Sequence, residues 1–423
     1  MRQIDIAIVG GGISGTALLY ELARRGDVGK VVLLEKYSSL ATVNSHGSNN
    51  SQTLHCGDIE TNYTLDKALQ VKQTAQMVVA YAQALPEAER DKLIYKFPKM
   101  VLAVGEQECE KLATRFDTFR DGFPEIELLD GEGITSIEPM VMRGRKEPVL
   151  AMAVQDHYSA ADFQRLALSF AAQAQHLQPE YQLRLNTAVR AIHQEEQGFL
   201  IDTGDEVLHS RTVVVSAGGH SLLFAHKMGY GKEYACLPVA GNFYYAPQML
   251  NGKVYTVQSD KLPFAAVHGD PDILQPEMTR FGPTALVLPL LERYHWNSLP
   301  QFLQVTKPEL AVLKVMGGLL SEPELRAYML RNMLYEVPGL GRRLFLKEAR
   351  KITPSLQLQQ LRFASGIGGI RPVMIDKQKQ LLHLGEAQID PGNGILFNMT
   401  PSPGATSCLG NAKRDAERIV GNL

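Results

Sequence analysis

Cysteine is scarce: Cys56, Cys109, Cys236 and Cys408 are the only four in 423 residues, far apart and without a Cys-x-x-Cys pair. That spacing argues against a disulfide framework or a zinc site and fits reduced thiols in a cytoplasmic protein. No apolar run approaches the roughly 18 residues that span a bilayer. The best stretch, Ala285-Leu286-Val287-Leu288-Pro289-Leu290-Leu291, is short and holds a proline. An excess of charge is missing too: the formal net charge is -2, and no Lys/Arg cluster builds a nucleic-acid footprint. Repeats and low-complexity linkers are absent. Met1-Arg2-Gln3 leads directly into a strand, so no secretory leader is expected. What remains is the composition of an ordinary globular protein, 45% hydrophobic and 21% charged, long enough for two or three domain-sized units.

The first 35 residues read as one βαβ unit. Ile4-Asp5-Ile6-Ala7-Ile8-Val9 alternates and is β-branched, a buried strand. Gly10-Gly11-Gly12-Ile13-Ser14-Gly15 follows, then a helix over residues 16–25 with Gly26 as its C-cap. Val31-Val32-Leu33-Leu34 is a second buried strand closed by Glu35 and Lys36. A glycine turn between strand and helix, with an acid 20 residues after Gly15, is the setting of a dinucleotide fingerprint. Gly10 permits the turn, Gly12 lets a pyrophosphate approach the backbone, and Gly15 lets helix and strand pack closely. The free N–H groups of Ile13 and Ser14 at the helix start favour the phosphates, and Glu35 accepts from the ribose hydroxyls.

Two later pieces choose between dinucleotides. Residues 211–220 form a buried strand running into Ala217-Gly218-Gly219-His220, preceded by segments 182–189 and 198–203 that read as a small antiparallel insert, with Val189 beside the cofactor. Near the C-terminus come Ser365 to Pro372, including Gly369, a hairpin around Gly392-Asn393-Gly394, and the turn Pro401-Ser402-Pro403-Gly404-Ala405-Thr406. A final amphipathic helix covers 407–420. A helix start of this kind suits the pyrimidine edge of a flavin, which gains negative charge on reduction. An NAD enzyme normally completes its nucleotide domain in one block, so pieces spread over three regions favour FAD.

The chain resembles the malate:quinone oxidoreductases and the related L-2-hydroxyglutarate oxidases and dehydrogenases, all D-amino-acid-oxidase-like flavoproteins. The likeness is carried by the fingerprint, by Asn49-Asn50-Ser51-Gln52-Thr53-Leu54-His55-Cys56 with Glu60-Thr61-Asn62-Tyr63-Thr64, and by Ala161-Asp162-Phe163. It continues through Ala217-Gly218-Gly219-His220-Ser221, Leu237 to Phe243, Phe281-Gly282-Pro283 and Ser402-Pro403-Gly404-Ala405-Thr406. The segment 263–269 stands closer to the hydroxyglutarate side, so both acids remain open. The resemblance implies non-covalent FAD, a 2-hydroxy acid as substrate and a quinone as acceptor, with peripheral contact at the inner face of the cytoplasmic membrane. An amino-acid or amine oxidase and a flavin-binding protein without turnover are the competing readings.

Oxidising a 2-hydroxy acid requires a cation for the carboxylate, a base for the hydroxyl proton and a C–H aimed at flavin N5. Arg371 is the expected clamp, because a guanidinium fork matches a carboxylate and Gly369-Ile370-Arg371-Pro372 resembles the Gly-x-Arg-Pro of amino-acid-oxidase-like flavoproteins. The structural alternative is a salt bridge at a strand end. His55 and His268 are the candidate bases, with His46 and His220 weaker. Asn49, Asn50 and Ser51 are expected at the cofactor, Gln52 and Tyr255 at the substrate, and Tyr63 along the pocket.

The expected architecture is α/β: a Rossmann-like FAD-binding domain of the two-dinucleotide-fold type (1–80, 146–224 and 356–423), interleaved with an α+β antiparallel-sheet substrate domain (81–145 and 225–355). Strands are expected at 94–104, 126–130, 234–246 and 254–269, and amphipathic helices over 299–350, notably Pro323 to Tyr335.

Overall fold

In the computed structural model, which describes residues 4–258, 266–383, 385–400 and 403–421, the N-terminal unit forms as its local pattern dictates. Strand β1 (Ile4–Val9) is almost wholly buried, helix α1 spans Ile13–Arg25 and ends on Gly26 at φ 76°, and strand β2 covers Val31–Leu34. Glycine is favoured at that cap because the left-handed region costs it nothing.

β1 lies in the interior of the first sheet. Across it run 395–399, 207–215, β1, β2 and 182–184, all parallel, with 387–389 antiparallel at one edge. The hairpin 191–195/198–202 extends from the strand Val207–Val215 in antiparallel pairing. The insert expected to begin at Gln182 therefore changes: Gln182–Arg184 pairs parallel to β2, and only the 191–202 hairpin is antiparallel. A short strand signal does not say which edge it joins. On one face α1 packs with the helices Phe163–Leu177 and Cys408–Val420, around Ile6, Ile8, Leu18, Phe170 and Ala412. Parallel strands covered on both faces read as continuous apolar runs, which is why β2 is four aliphatic residues.

A second, mainly antiparallel sheet runs 362–363, 244–247, 278–282, 268–271, 253–256, 99–104, 149–154 and 127–129. The link between 253–256 and 99–104 is parallel. A third sheet pairs Tyr234–Ala240 with Ile370–Asp376 in register, Val239 opposite Arg371. The helices Leu310–Ser321 and Pro323–Tyr335 cover that sheet through Val312, Val315 and Leu325. The expected helix boundary at Pro323 to Tyr335 coincides with the observed one. Pairing crosses the expected segment division in four places: strands 149–154 and 362–363 join the second sheet, 370–376 joins the third, and 158–161 pairs with 94–96. Part of the expected strand 254–269 (259–265, including Pro263 to Ala265) and Ser402 of the C-terminal turn lie outside the described residues.

Candidate active site

The strand ends carrying the glycine turn, Ala217-Gly218 and Arg371 open onto one cavity of about 610 Å3. Ligands of open α/β sheets sit at such strand ends. Of the residues expected at a cofactor, Gly10, Gly12, Ile13, Ser14, Glu35, Lys36, Asn49, Asn50, Ser51, Val189, Ala217, Gly218, Gly369, Pro403, Ala405 and Thr406 line it. So do His55, His220 and Arg371.

The glycine turn shows why these positions admit no side chain. Gly10 has φ +109°, and a Cβ there would stand 2.4 Å from the Ser216 carbonyl oxygen; one on Gly15 would stand 2.0 Å from the Gly10 carbonyl oxygen. Gly15 thus packs helix on strand and does not line the cavity. A Cβ on Gly12 would meet nothing nearer than Ser45 Oγ at 3.4 Å. Gly12 is also the N-cap of α1, brings no capping side chain, and no acid occupies the first turn. That leaves a helix start suited to an anion. Glu35 is 9% exposed and held in place: Oε2 accepts from Gly11 N (2.8 Å) and Oε1 from Tyr37 N (2.9 Å). Lys36 pairs with Glu292, which also accepts from the Tyr37 hydroxyl at 2.6 Å.

The loop after β2 is built by its own amides. Asn49 donates to Val43 O and its Oδ1 accepts from Gly368 N; Asn50 donates to Asn44 O and His46 O. Asn44 Oδ1 accepts from Ile370 N at 3.1 Å. Asn44 and Asn49 therefore tie the loop to the segment that presents Arg371, and Asn50 braces the loop from within. Asn44 was not among the residues singled out by sequence, and only its cross-chain bond reveals it. His46 is a local cap, its Nδ1 accepting from Ser48 N.

Arg371 has no ion pair and no hydrogen bond among the described residues. Burial lowers its pKa, opposed by Tyr328, Tyr255 and Tyr63 nearby. Those phenols are themselves raised, chiefly by burial, Tyr328 to about 12, so they remain neutral hydroxyls. The salt bridge that a strand-end arginine usually makes is absent here. A half-buried guanidinium on the wall of a cavity, with no carboxylate beside it among the described residues, leaves its donors for an anion.

His55 Nδ1 lies 2.9 Å from Glu60 Oε1. Its backbone N–H donates to Thr406 Oγ1 at 3.1 Å, and the same hydroxyl donates to Thr53 O, so the C-terminal turn clamps the His55 segment. Burial pushes the Glu60 carboxyl up, yet His55 and Lys99 outweigh it and the net shift is downward. Glu60 is a carboxylate beside the imidazole. Cys56 is a half-buried thiol pushed up to about 12 by loss of solvent, with Lys99 opposing that shift.

Four expectations need correcting. His268 is 2% exposed, absent from the cavity lining, and bonded through Nδ1 to Asp270 Oδ1 at 2.9 Å. Gln52 is fully buried at φ 53° and spends its amide on Gly47 O, Asp272 Oδ1 and Ile273 N. Tyr255 stands one layer back, its ring 4.5 Å from that of His268 and its hydroxyl 2.8 Å from Thr53 Oγ1. Gly404 is likewise outside the lining. The first three belong to a buried polar network in which Asp270 faces Arg280 at 2.9 Å and Lys253 at 3.6 Å. Burial lowers Lys253 to about 8. Such a network stiffens the wall behind the loop, since every member is held by another.

Fold and cavity together define an oxidoreductase of the dinucleotide-cofactor class with an anion-holding pocket. The chain belongs to the FAD-dependent oxidoreductase family, whose model matches residues 5–418. It is 46% identical to a probable malate:quinone oxidoreductase of Campylobacter jejuni over 100% of this chain and 96% of the relative. It is 42% identical to a malate:quinone oxidoreductase of Helicobacter pylori over 100% and 95%. Among solved structures, an FAD-bound L-alpha-glycerophosphate oxidase from Mycoplasma pneumoniae matches with a TM-score of 0.69 and 21% identity over 100% and 95%, which speaks for the fold. FAD is the cofactor, and the residues present fit it: the cavity is open where Gly12 lacks a side chain. Gly15→Ala is expected to lower the melting temperature and yield protein without yellow absorbance, because a backbone oxygen 2.0 Å from the new Cβ forces turn and helix apart. Absorbance at constant protein concentration reads this directly.

Proposed function

We propose that this protein oxidises malate to its 2-oxo acid and passes the two electrons to a quinone. The relatives named for this reaction at 42–46% identity over the whole chain support malate over 2-hydroxyglutarate. The observation that carries the chemistry is Arg371, a half-buried cation whose side chain has no partner among the described residues, on the wall of the cavity that begins at the glycine turn. Bound FAD supplies the acceptor for the hydride leaving substrate C2. Gly10, Gly12, Ile13 and Ser14 would hold its pyrophosphate. Glu35, with two carboxylate lone pairs left after its backbone bonds, would accept from the ribose. The turn 403–406 and Gly218 would flank the ring system. Arg371 grips the substrate carboxylate, and His55, steadied by Glu60, takes the hydroxyl proton. In this reading 1–80, 146–224 and 356–423 chiefly serve the cofactor and 81–145 with 225–355 the substrate, strands 149–154, 158–161, 362–363 and 370–376 crossing that division.

A quinone dissolved in lipid implies peripheral work at the inner face of the cytoplasmic membrane. Among the described residues no helix is long and apolar enough to cross a bilayer. Anaerobic L-malate is expected to bleach the flavin absorbance, with L-2-hydroxyglutarate much slower. Bleaching by an amino acid and not by either hydroxy acid would sink the assignment.

A further inference from the structure

We propose that the outer face of the helical hairpin Leu310–Ser321/Pro323–Tyr335 docks on a bilayer through anionic lipid headgroups, bringing quinone close to the active site. This rests on the quinone reading above. The first helix, LAVLKVMGGLLS, has one charged residue, yet only Val312 and Val315 are buried. A helix apolar on all sides belongs in a core or in lipid, and here Leu310 is 69% and Leu313 55% exposed. A Cβ on Gly317 or Gly318 would meet no atom within 4 Å. The second helix continues the surface with Leu330 at 55% and Met333 at 56%. Isolated exposed leucines are ordinary; a contiguous set on two adjoining helices marks a docking surface.

Charge selects the occupant. Residues 307–351 hold nine Lys/Arg against five Glu, in a chain whose net charge is -2. Three of those acids are already engaged: Glu309 by Lys377, Glu336 by Arg293 and Glu348 by the Tyr335 hydroxyl. Lys314, Arg331, Arg342, Arg343 and Lys347 remain exposed around the leucines. Leucines set among cations suit the acyl–headgroup boundary of an anionic membrane. The inner face points to purpose: Val312, Val315 and Leu325 pack on Val239 and Val373, and Tyr328 of the same hairpin influences Arg371 electrostatically. One helix layer separates the docking face from the strand that carries the clamp.

The test uses the full-length holoenzyme, sedimented with phosphatidylglycerol/phosphatidylethanolamine vesicles or with pure phosphatidylcholine. Wild type is expected to follow the anionic vesicles. Leu313→Glu/Leu330→Glu should lower that partition by at least about tenfold, and Lys314→Glu/Arg331→Glu should remove the preference for anionic lipid. Malate-driven reduction of a water-soluble dye, flavin absorbance and melting temperature should stay unchanged in both. Wild type that ignores vesicles, or a leucine variant that binds them undiminished, overturns the surface. A wild-type dimer that the leucine variant converts to monomer, without vesicle binding, assigns the face to a second copy instead. Failure of malate to reduce the wild-type flavin would strike the functional reading, while the vesicle result would still judge the surface.

Discussion

Arg371→Ala is expected to lower kcat/KM for malate by about 10²–10³ while leaving FAD bound. A hydrogen bond to a charged group contributes about 1.5–3 kcal/mol; two in the lower part of that range give a loss of roughly 3–4 kcal/mol, at about 1.4 kcal/mol per decade of rate. Arg371→Lys should recover only part, because an ammonium lacks the planar fork. The effect on stability should run the other way. Burial works against the ionised guanidinium, and no carboxylate among the described residues compensates it, so removing the side chain should hold or raise the melting temperature. Stopped-flow reduction by malate under anaerobic conditions separates the outcomes. An unchanged reductive rate removes Arg371 from the site. A colourless protein would instead make it a residue that holds the cofactor or the fold.

His55→Ala carries the second large effect, a fall of about 10²–10⁴ in the reductive rate constant, the range for a positioned general base. In the proposed reading Glu60 fixes the ring through Nδ1 while the imidazole takes the substrate hydroxyl proton. Substrate binding, held by Arg371, should change far less than the rate. Glu60→Gln tests the support: the amide still meets the ring but brings no carboxylate to it, and the change should cost about tenfold in the reductive rate constant. A His55→Ala enzyme that still reduces its flavin at the wild-type rate would clear the residue of this role. Loss of folding is the competing explanation, because the imidazole also holds the Glu60 carboxylate; retention of the yellow absorbance excludes it.

Much of the frame could be read locally. β1, β2, the Gly26 cap and the helix 323–335 follow from apolar period, glycine and proline, signals contained within a few residues. The antiparallel reading of 182–189 failed because a three-residue strand carries no mark of its partner. His268, Gln52 and Tyr255 illustrate the same limit at the site. Their chemistry suits a pocket, yet Asp270, Asp272 and Thr53 hold them just behind its wall. Asn44 and Tyr328 went unremarked because their roles arise from neighbours far along the chain, Ile370 and Arg371, and Glu60 was named only within the resemblance, without its pairing to His55.

By itself the sequence determined the glycine turn, the strand and helix that flank it, and the need for a dinucleotide there, since all three depend on backbone conformation over about a dozen residues. Only the tertiary structure decided that the Arg371 side chain stands unpaired among the described residues, that His55 leans on Glu60 while His268 is withdrawn, and that a leucine-rich helical face is left in the open. Those outcomes depend on which charges and apolar surfaces distant segments bring to each other, and pairing of that kind has no local signature.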